Sequence, residues 1–216
     1  MLNSEKSCAN PGDNLTGDAQ VRTALNLQYL TIGYNVLEGV ACIVAGGLTG
    51  VLSMLAFGID SFIEVLASAI MVRRLRFRGT TDELEQAETR AQRAVGITFF
   101  ILAAFILFES GRDLYARESP DQSTFALIIA AASAVAMPLL GRIKRNLALR
   151  MNMPSLASEA AQTTLCGWLS IILLLTVGVY RLTGWWWVDA VGAIAMTPII
   201  IIEGVKSLQG KSCGCS

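Results

Sequence analysis

Six long apolar stretches constrain the fold of this chain more than any other feature of its sequence. They cover approximately residues 25–46, 50–72, 94–115, 124–141, 155–180 and 185–207. A helix crosses a bilayer with about 20 apolar residues, so each stretch is long enough for one crossing. Uninterrupted runs such as IILLLTVGVY lack the alternation that is typical of strands in membrane barrels. The sequence therefore predicts an all-α membrane protein with six transmembrane helices.

The composition leaves little of the chain for anything besides these helices. Only 16% of the 216 residues are charged, whereas soluble domains carry roughly 25%. We expect a polar cytoplasmic tail over residues 1–24, a six-helix transmembrane domain over 25–208, and a short cytoplasmic tail over 209–216 that contains Cys-Gly-Cys. The net charge of zero gives no support for a nucleic-acid partner. Because the sequence contains no histidine, catalytic and metal sites that need one are excluded.

The basic residues indicate how the helices are oriented. Fourteen of the 17 lysines and arginines fall in the two termini and in two predicted loops, 73–93 and 142–150, the second of which contains Lys144. Basic residues collect on the cytoplasmic side of membrane proteins. We therefore predict that both termini face the cytoplasm. The chain is short and bacterial in character, and we expect it in the lipid bilayer of a bacterial inner (plasma) membrane.

Two carboxylates lie inside the second apolar stretch, where the membrane disfavours charge. A carboxylate near the bilayer centre costs at least about 2.5 kcal/mol. Asp60 and Glu64 are four residues apart, so they stack on one face of a helix, one turn from each other. Their repulsion is relieved by a proton or a cation between them. The alternative is a pair buried against arginine, but no arginine lies in the middle of any stretch. The pattern favours a cation site.

The fifth apolar stretch carries a second polar stripe. Glu159, Gln162 and Cys166 fall on one helix face, with Thr163 beside them. A carboxylate, an amide oxygen and a thiol suit zinc better than magnesium or calcium. In the alternative interpretation, Gln162 and Thr163 bond a neighbouring helix and Cys166 is a small core residue. Opposite Asp60 and Glu64, this stripe favours a metal site.

The first apolar stretch has a stripe of its own, formed by Asn35, Glu38 and Cys42. These residues are candidates for a proton or accessory metal site. Glu38 is compatible with a metal contact, a proton acceptor or a structural hydrogen-bond anchor, and all three roles stay open. For Asn35 a structural role is favoured slightly.

Other candidate residues have simpler explanations. Cys213 and Cys215 in the carboxyl-terminal tail could gather a thiophilic metal, but a lipid-modified or inert tail explains them equally well. Glu109, Asp189 and Glu203 lie nearer the ends of apolar stretches, where snorkelling or helix capping accounts for an acid.

Over residues 25–208 these motifs resemble the cation diffusion facilitators, a family of six-helix exporters of divalent metal ions. Asp60 and Glu64, followed by Val-Leu-Ala-Ser, match the metal-binding pair of the family's second helix. The segment around Gln162 and Cys166 is similar to the fifth-helix motif, although these two residues replace the usual histidine and aspartate. Further similar segments are Trp187-Val188-Asp189-Ala190, Glu203-Gly204 and Phe108-Glu109-Ser110.

The resemblance implies a divalent-metal exporter, with zinc as the foremost substrate, that works by alternating access and exchanges metal for protons. It implies metal ligation by Asp60, Glu64, Cys166 and Gln162, with Glu159 supplying a further charge. It also implies no resident cofactor, and a homodimer formed through the transmembrane helices, as in the compact branch that lacks a cytoplasmic domain. An enzyme is disfavoured by the residues themselves, because the sequence has no HExxH motif and no serine–histidine or cysteine–histidine pair. The alternative is a metal-binding membrane regulator or sensor without transport activity.

Overall fold

The computed structural model describes residues 11–49, 52–117 and 124–210, and it folds them into six α-helices. These are α1 (Pro11–Thr49), α2 (Leu52–Arg76), α3 (Thr81–Ala116), α4 (Thr124–Met151), α5 (Pro154–Thr183) and α6 (Val188–Leu208). All six are long and apolar enough to cross a membrane, and the described residues contain no strand. The prediction of an all-α protein with six transmembrane helices is therefore confirmed. The cytoplasmic placement of both termini stays a prediction.

The helices pack as three antiparallel pairs, and α5 lies at the centre of the bundle. The closest pairs are α4 with α5, α1 with α2, and α3 with α6, and α5 also packs on α2, α3 and α6. Short connections force consecutive helices to run in opposite directions. One end of the bundle, which we call the cavity end, therefore holds the ends of α1, α3 and α5 and the starts of α2, α4 and α6. The opposite end, which we call the arginine end, holds the turn between Arg76 and Thr81.

Two glycines allow α4 and α5 to approach each other closely. A Cβ atom on Gly141 would clash with the side chain of Thr164, and one on Gly167 would clash with the ring of Pro138. Small residues at such positions are typical of tightly packed membrane helices. Because Lys144 lies three residues after Gly141, on the same face of α4, this close approach places its side chain against α5.

The predicted loop at 142–150 is wrong, because α4 continues to Met151. The chain reverses instead at Asn152, whose φ of 49° is left-handed, and Pro154 starts α5 in the first turn, where proline is well tolerated. Lys144 consequently lies inside a helix with a fully buried side chain rather than in a cytoplasmic loop. Lys144 therefore no longer counts among the basic residues of the predicted cytoplasmic side, but most of the basic residues still lie on that side.

Two other elements extend beyond their apolar stretches. Most of the predicted loop at 73–93 is helical, since α2 runs to Arg76 and α3 begins at Thr81. Thr80 and Glu83 form a capping box that satisfies the first backbone N–H groups of α3. α1 begins at Pro11, within the segment predicted as a tail. Helices extend past the membrane in this way because water satisfies their polar side chains, so an apolar stretch underestimates the length of its helix.

Candidate metal centre

The polar stripes of α2 and α5 face each other in the centre of the bundle. The thiol of Cys166 donates a hydrogen bond to Oδ2 of Asp60 over 3.0 Å. The hydroxyl of Thr163 donates to Glu64. Two successive side chains on each helix therefore meet across one interface, with Asp60 nearer the cavity end. Members of both predicted stripes, Asp60 and Glu64 on α2 and Cys166 on α5 with Thr163 beside it, thus line one polar interface.

Glu64 has an unusual environment for a carboxylate. Its side chain is 1% exposed. One oxygen accepts the hydroxyl hydrogen of Thr163, but Oε2 has no hydrogen-bond partner among the residues that the structure describes. Buried polar atoms nearly always have a partner, so an unpartnered carboxylate oxygen calls for an explanation. A metal ion or a proton on Oε2 would supply one.

Gln162 is oriented away from this interface. Its Oε1 accepts a hydrogen bond of 2.7 Å from the hydroxyl of Thr98 on α3, and its side chain is 1% exposed. The contact corresponds to the alternative interpretation, in which this amide bonds a neighbouring helix. A role for Gln162 as a metal ligand stays a prediction, and it would require this hydrogen bond to break.

Glu159 is fully buried and both of its oxygens have protein partners. Oε1 accepts hydrogen bonds from Lys144 Nζ at 2.5 Å and from Ser68 Oγ at 3.1 Å. Oε2 accepts one from Gln28 Nε2 at 3.0 Å. Among the residues whose side chains the structure describes, Lys144 is the only buried basic residue. The sequence analysis considered a basic partner for Asp60 and Glu64 and did not favour it. The structure gives such a partner to Glu159 instead.

The sequence analysis missed Lys144 because it assigned this residue to a loop. A signal was nevertheless present. Pro138, Gly141 and Lys144 are spaced by three residues, which places a lysine on the same helix face as a small residue. That face is the one on which α4 packs closely against α5.

The stripe on α1 forms a second polar cluster. Glu38 is 8% exposed and accepts hydrogen bonds from Ser61 at 3.1 Å and from Ser133. Tyr34 contacts the same carboxylate at 3.4 Å. Because Ser61 directly follows Asp60, this cluster adjoins the α2–α5 interface. Hydroxyl groups donate to both oxygens of this carboxylate, which corresponds to the structural hydrogen-bond anchor among the three roles predicted for Glu38. The metal-contact and proton-acceptor roles stay predictions.

The other predicted residues of this stripe differ from one another. Asn35 is fully buried and donates to the carbonyl of Thr31 in its own helix at 2.9 Å, which fits a structural role. Cys42 is a buried free thiol that lines a cavity shared with Asp60. Cys213 and Cys215 lie outside the described residues.

This cavity of about 130 Å³ extends from Asp60 towards the cavity end, and all six helices contribute to its wall. Glu109, Asp113 and Asp189 also line it. The sequence analysis assigned Glu109 and Asp189 to helix ends and did not single out Asp113. The missed signal was the placement of the three acids, because the end of α3 and the start of α6 lie at the same end of an antiparallel bundle. Arg112 forms an ion pair with Asp113 at 2.7 Å, so Glu109 and Asp189 are the two acids that give the approach to Asp60 an acidic character and attract cations.

The predicted metal ligands are not grouped into a complete metal site. Within residues 11–49, 52–117 and 124–210, no three carboxylate or thiol side chains are grouped closely enough to hold a metal ion. The Asp60–Cys166 contact supplies two donors, and Glu64 lies one turn further along α2. A metal ion bound here would need Glu64 to move towards this pair, which its unpartnered oxygen leaves it free to do.

Comparison with known proteins identifies the family. Residues 29–209 match the model of the cation efflux transmembrane domain. The chain is also similar to transmembrane protein 163 of Xenopus laevis, with 23% identity over 189 residues, which cover 87% of this chain and 67% of the relative. Members of the cation efflux family are transporters rather than enzymes. The chain therefore belongs to the cation efflux family, whose members are integral membrane proteins that transport divalent cations.

Proposed function

We propose that this protein exports divalent metal ions, zinc foremost, through the interface between α2 and α5, and that it exchanges them for protons by alternating access. The observation that carries the proposal is the contact of Asp60 with Cys166, beside a Glu64 oxygen that has no partner. Carboxylate and thiolate are both donors that zinc accepts in a tetrahedral site. Gln162 and Glu159 remain predicted ligands of lower rank, because protein groups already occupy their oxygens.

The proton exchange follows from the chemistry of the same groups. The chain contains no histidine, so the protons must be carried by carboxylates or by Cys166. In the contact of Cys166 with Asp60 the thiol is the donor, so this pair carries a proton on sulfur. A bound dication favours the deprotonated ligands, and metal binding releases protons. The interface can therefore hold protons or metal, which is the basis of an antiporter.

The two ends of the bundle support alternating access. At the cavity end, acidic side chains line a cavity that reaches Asp60. At the arginine end, Glu88 joins three helices, since it accepts Arg74 Nε from α2 and the backbone N–H of Ser155 from α5, each at 2.7 Å. This arrangement fits a conformation that is accessible from one end and closed at the other. Transport would require Glu88 to release one of these partners.

Two parts of the proposal rest on the sequence alone. These are a homodimer formed through the transmembrane helices and a location in the bacterial plasma membrane. The relative from Xenopus laevis is a eukaryotic protein, so it gives no support for a bacterial location.

The test is zinc flux in proteoliposomes that contain a zinc-sensitive dye, with and without an imposed pH gradient. We expect flux that follows the gradient in the wild type and that is lost in Asp60→Asn. Glu85→Gln is the matched control, because Glu85 is an exposed acid at the arginine end. Equal flux in wild type and Asp60→Asn would contradict the assigned site. Zinc binding in calorimetry without any flux would support a regulator or sensor instead.

A further inference from the structure

We propose that Lys144 is a tethered counter-cation that withholds Glu159 from the metal and thereby keeps the charge of Glu159 out of the metal centre. The inference rests on the proposed function. It revises the sequence prediction that made Glu159 a ligand, and it assigns a role to a residue that no motif of the sequence identified.

The first observation is the set of contacts around the ammonium group. Lys144 is fully buried, and its Nζ lies 2.5 Å from Glu159 Oε1 and 3.1 Å from Thr163 Oγ1. A buried ammonium ion is expensive in a membrane unless a carboxylate neutralises it. Ser68 donates to the same oxygen of Glu159, and Gln28 donates to Oε2, from two other helices. Each oxygen of Glu159 therefore has at least one donor in the protein.

The second observation is the direction of the hydrogen bonds through Thr163. A hydroxyl has one hydrogen to donate. That of Thr163 has three acceptors within reach, and we assign it to Glu64 because this contact is shorter than those with the carbonyl and the carboxylate of Glu159, at 3.3 and 3.4 Å. The hydroxyl oxygen of Thr163 accepts from Lys144. The hydroxyl of Thr163 therefore bridges Lys144 and Glu64 and orients the Glu64 carboxylate. The other oxygen of Glu64 has no partner among the described residues.

The third observation is the balance of charge. Glu159 and Glu64 both contact the hydroxyl of Thr163, at 3.4 Å in the case of Glu159. Charges that close interact strongly in the membrane interior. With Lys144 in place, Glu159 is neutralised and adds no net charge to that of Asp60, Glu64 and the Cys166 thiolate. Without Lys144, the additional negative charge of Glu159 would hold the metal more tightly and slow its release. Without Glu159, the unpaired ammonium group would repel the metal.

The proposal predicts opposite effects for the two single substitutions. We expect Lys144→Met to lower both KM and kcat for zinc transport about tenfold or more, and Glu159→Gln to raise KM by a similar factor. The double variant Lys144→Met/Glu159→Gln removes both charges and should return KM to within about threefold of the wild type. Values are compared per folded, monodisperse protein, with zinc affinity from calorimetry as a readout independent of flux.

A purely structural ion pair gives a different result. It would lower the amount of folded protein in both single variants and leave KM and zinc affinity unchanged, or shift them in the same direction; either outcome overturns the inference. If Lys144→Met does not fold on its own, Glu159→Gln is compared with the double variant instead. Replacing Lys144 in the Glu159→Gln background should lower KM about fivefold or more. An unchanged KM in that comparison also overturns the inference.

The proposed function fails separately. It fails if the wild type neither binds nor transports zinc, or if Asp60→Asn transports as the wild type does. If wild type is active and Asp60→Asn is inactive, but the two substitutions of the buried pair do not shift KM in opposite directions, only the role of Lys144 is overturned.

Discussion

Glu64 and Glu159 contact the same hydroxyl group, that of Thr163, yet their environments differ. Glu159 accepts hydrogen bonds from Lys144, Ser68 and Gln28, so its charge and both of its oxygens are satisfied within the protein. Glu64 has one bond from Thr163 and one oxygen without a partner. Two buried carboxylates on facing helices thus differ in how completely the protein satisfies them.

The difference teaches how a membrane protein separates structure from binding. A carboxylate that the protein satisfies completely stabilises the fold and has nothing left to offer a ligand. A carboxylate that is left incomplete is costly to the fold and available to a cation. The predictions below test this division, from the largest expected effect to the smallest.

The largest effect is expected for stability at the satisfied carboxylate. Lys144→Met leaves Glu159 charged and buried without its partner, so we expect a loss of about 3–5 kcal/mol in the free energy of unfolding. Replacing both residues should recover most of this loss. Denaturant unfolding in mixed detergent micelles measures it, with Glu85→Gln as a control of unchanged stability. A single variant as stable as the wild type would show that Glu159 does not depend on Lys144.

The next effect is expected for transport at the incomplete carboxylate. Glu64→Gln keeps the volume and an oxygen that accepts from Thr163, but it removes the negative charge from the metal centre. Loss of supporting groups around a metal commonly costs 10–100-fold, so loss of a ligand should lower zinc flux by about 100-fold or more. The free energy of unfolding should not fall, because the substitution removes an incompletely satisfied buried charge. Flux in proteoliposomes and a thermal unfolding curve test both points, and flux above half of the wild-type rate would exclude Glu64 as a ligand.

A smaller effect is expected for metal preference at Cys166. Cys166→Ser replaces a soft donor by a hard one at the contact with Asp60. The preference for zinc over manganese should fall about tenfold, because thiolate favours zinc and oxygen donors suit manganese. Competition between the two ions in the flux assay measures the ratio. Cys42→Ser is a suitable comparison, since Cys42 lines the same cavity without contacting Asp60 in the described hydrogen bonds. An unchanged ratio in Cys166→Ser would remove the thiol from the metal centre.

The smallest effect is expected in the cavity. Glu109 lines the approach to Asp60, and Glu109→Gln removes one of the charges that attract cations. We expect zinc association to slow about two- to threefold at low ionic strength, and the difference to vanish at about 0.5 M salt, where screening is strong. Stopped-flow mixing with zinc measures the rate. A difference that persists at high salt would indicate that Glu109 binds the metal directly.

Much of the site could be predicted because the register of a helix is local. Asp60 and Glu64 are one turn apart wherever the helix lies, and the same holds for Glu159, Gln162 and Cys166. Which member of a stripe is engaged by a third helix is not local. Gln162 faces Thr98 and Glu159 faces Lys144 because α3 and α4 pack on α5, and those contacts depend on packing that no single stretch encodes.

The sequence by itself determined the six transmembrane helices and the carboxylate pair of Asp60 and Glu64, because hydrophobic length and helical spacing act within one segment. Only the tertiary structure decided the partners of each buried charge. Gly141 and Gly167 allow α4 to approach α5, and this approach places Lys144 beside Glu159 while Glu64 keeps an oxygen without a partner. In the membrane interior no water can take the place of a missing partner, so the packing of the helices sets the role of each carboxylate.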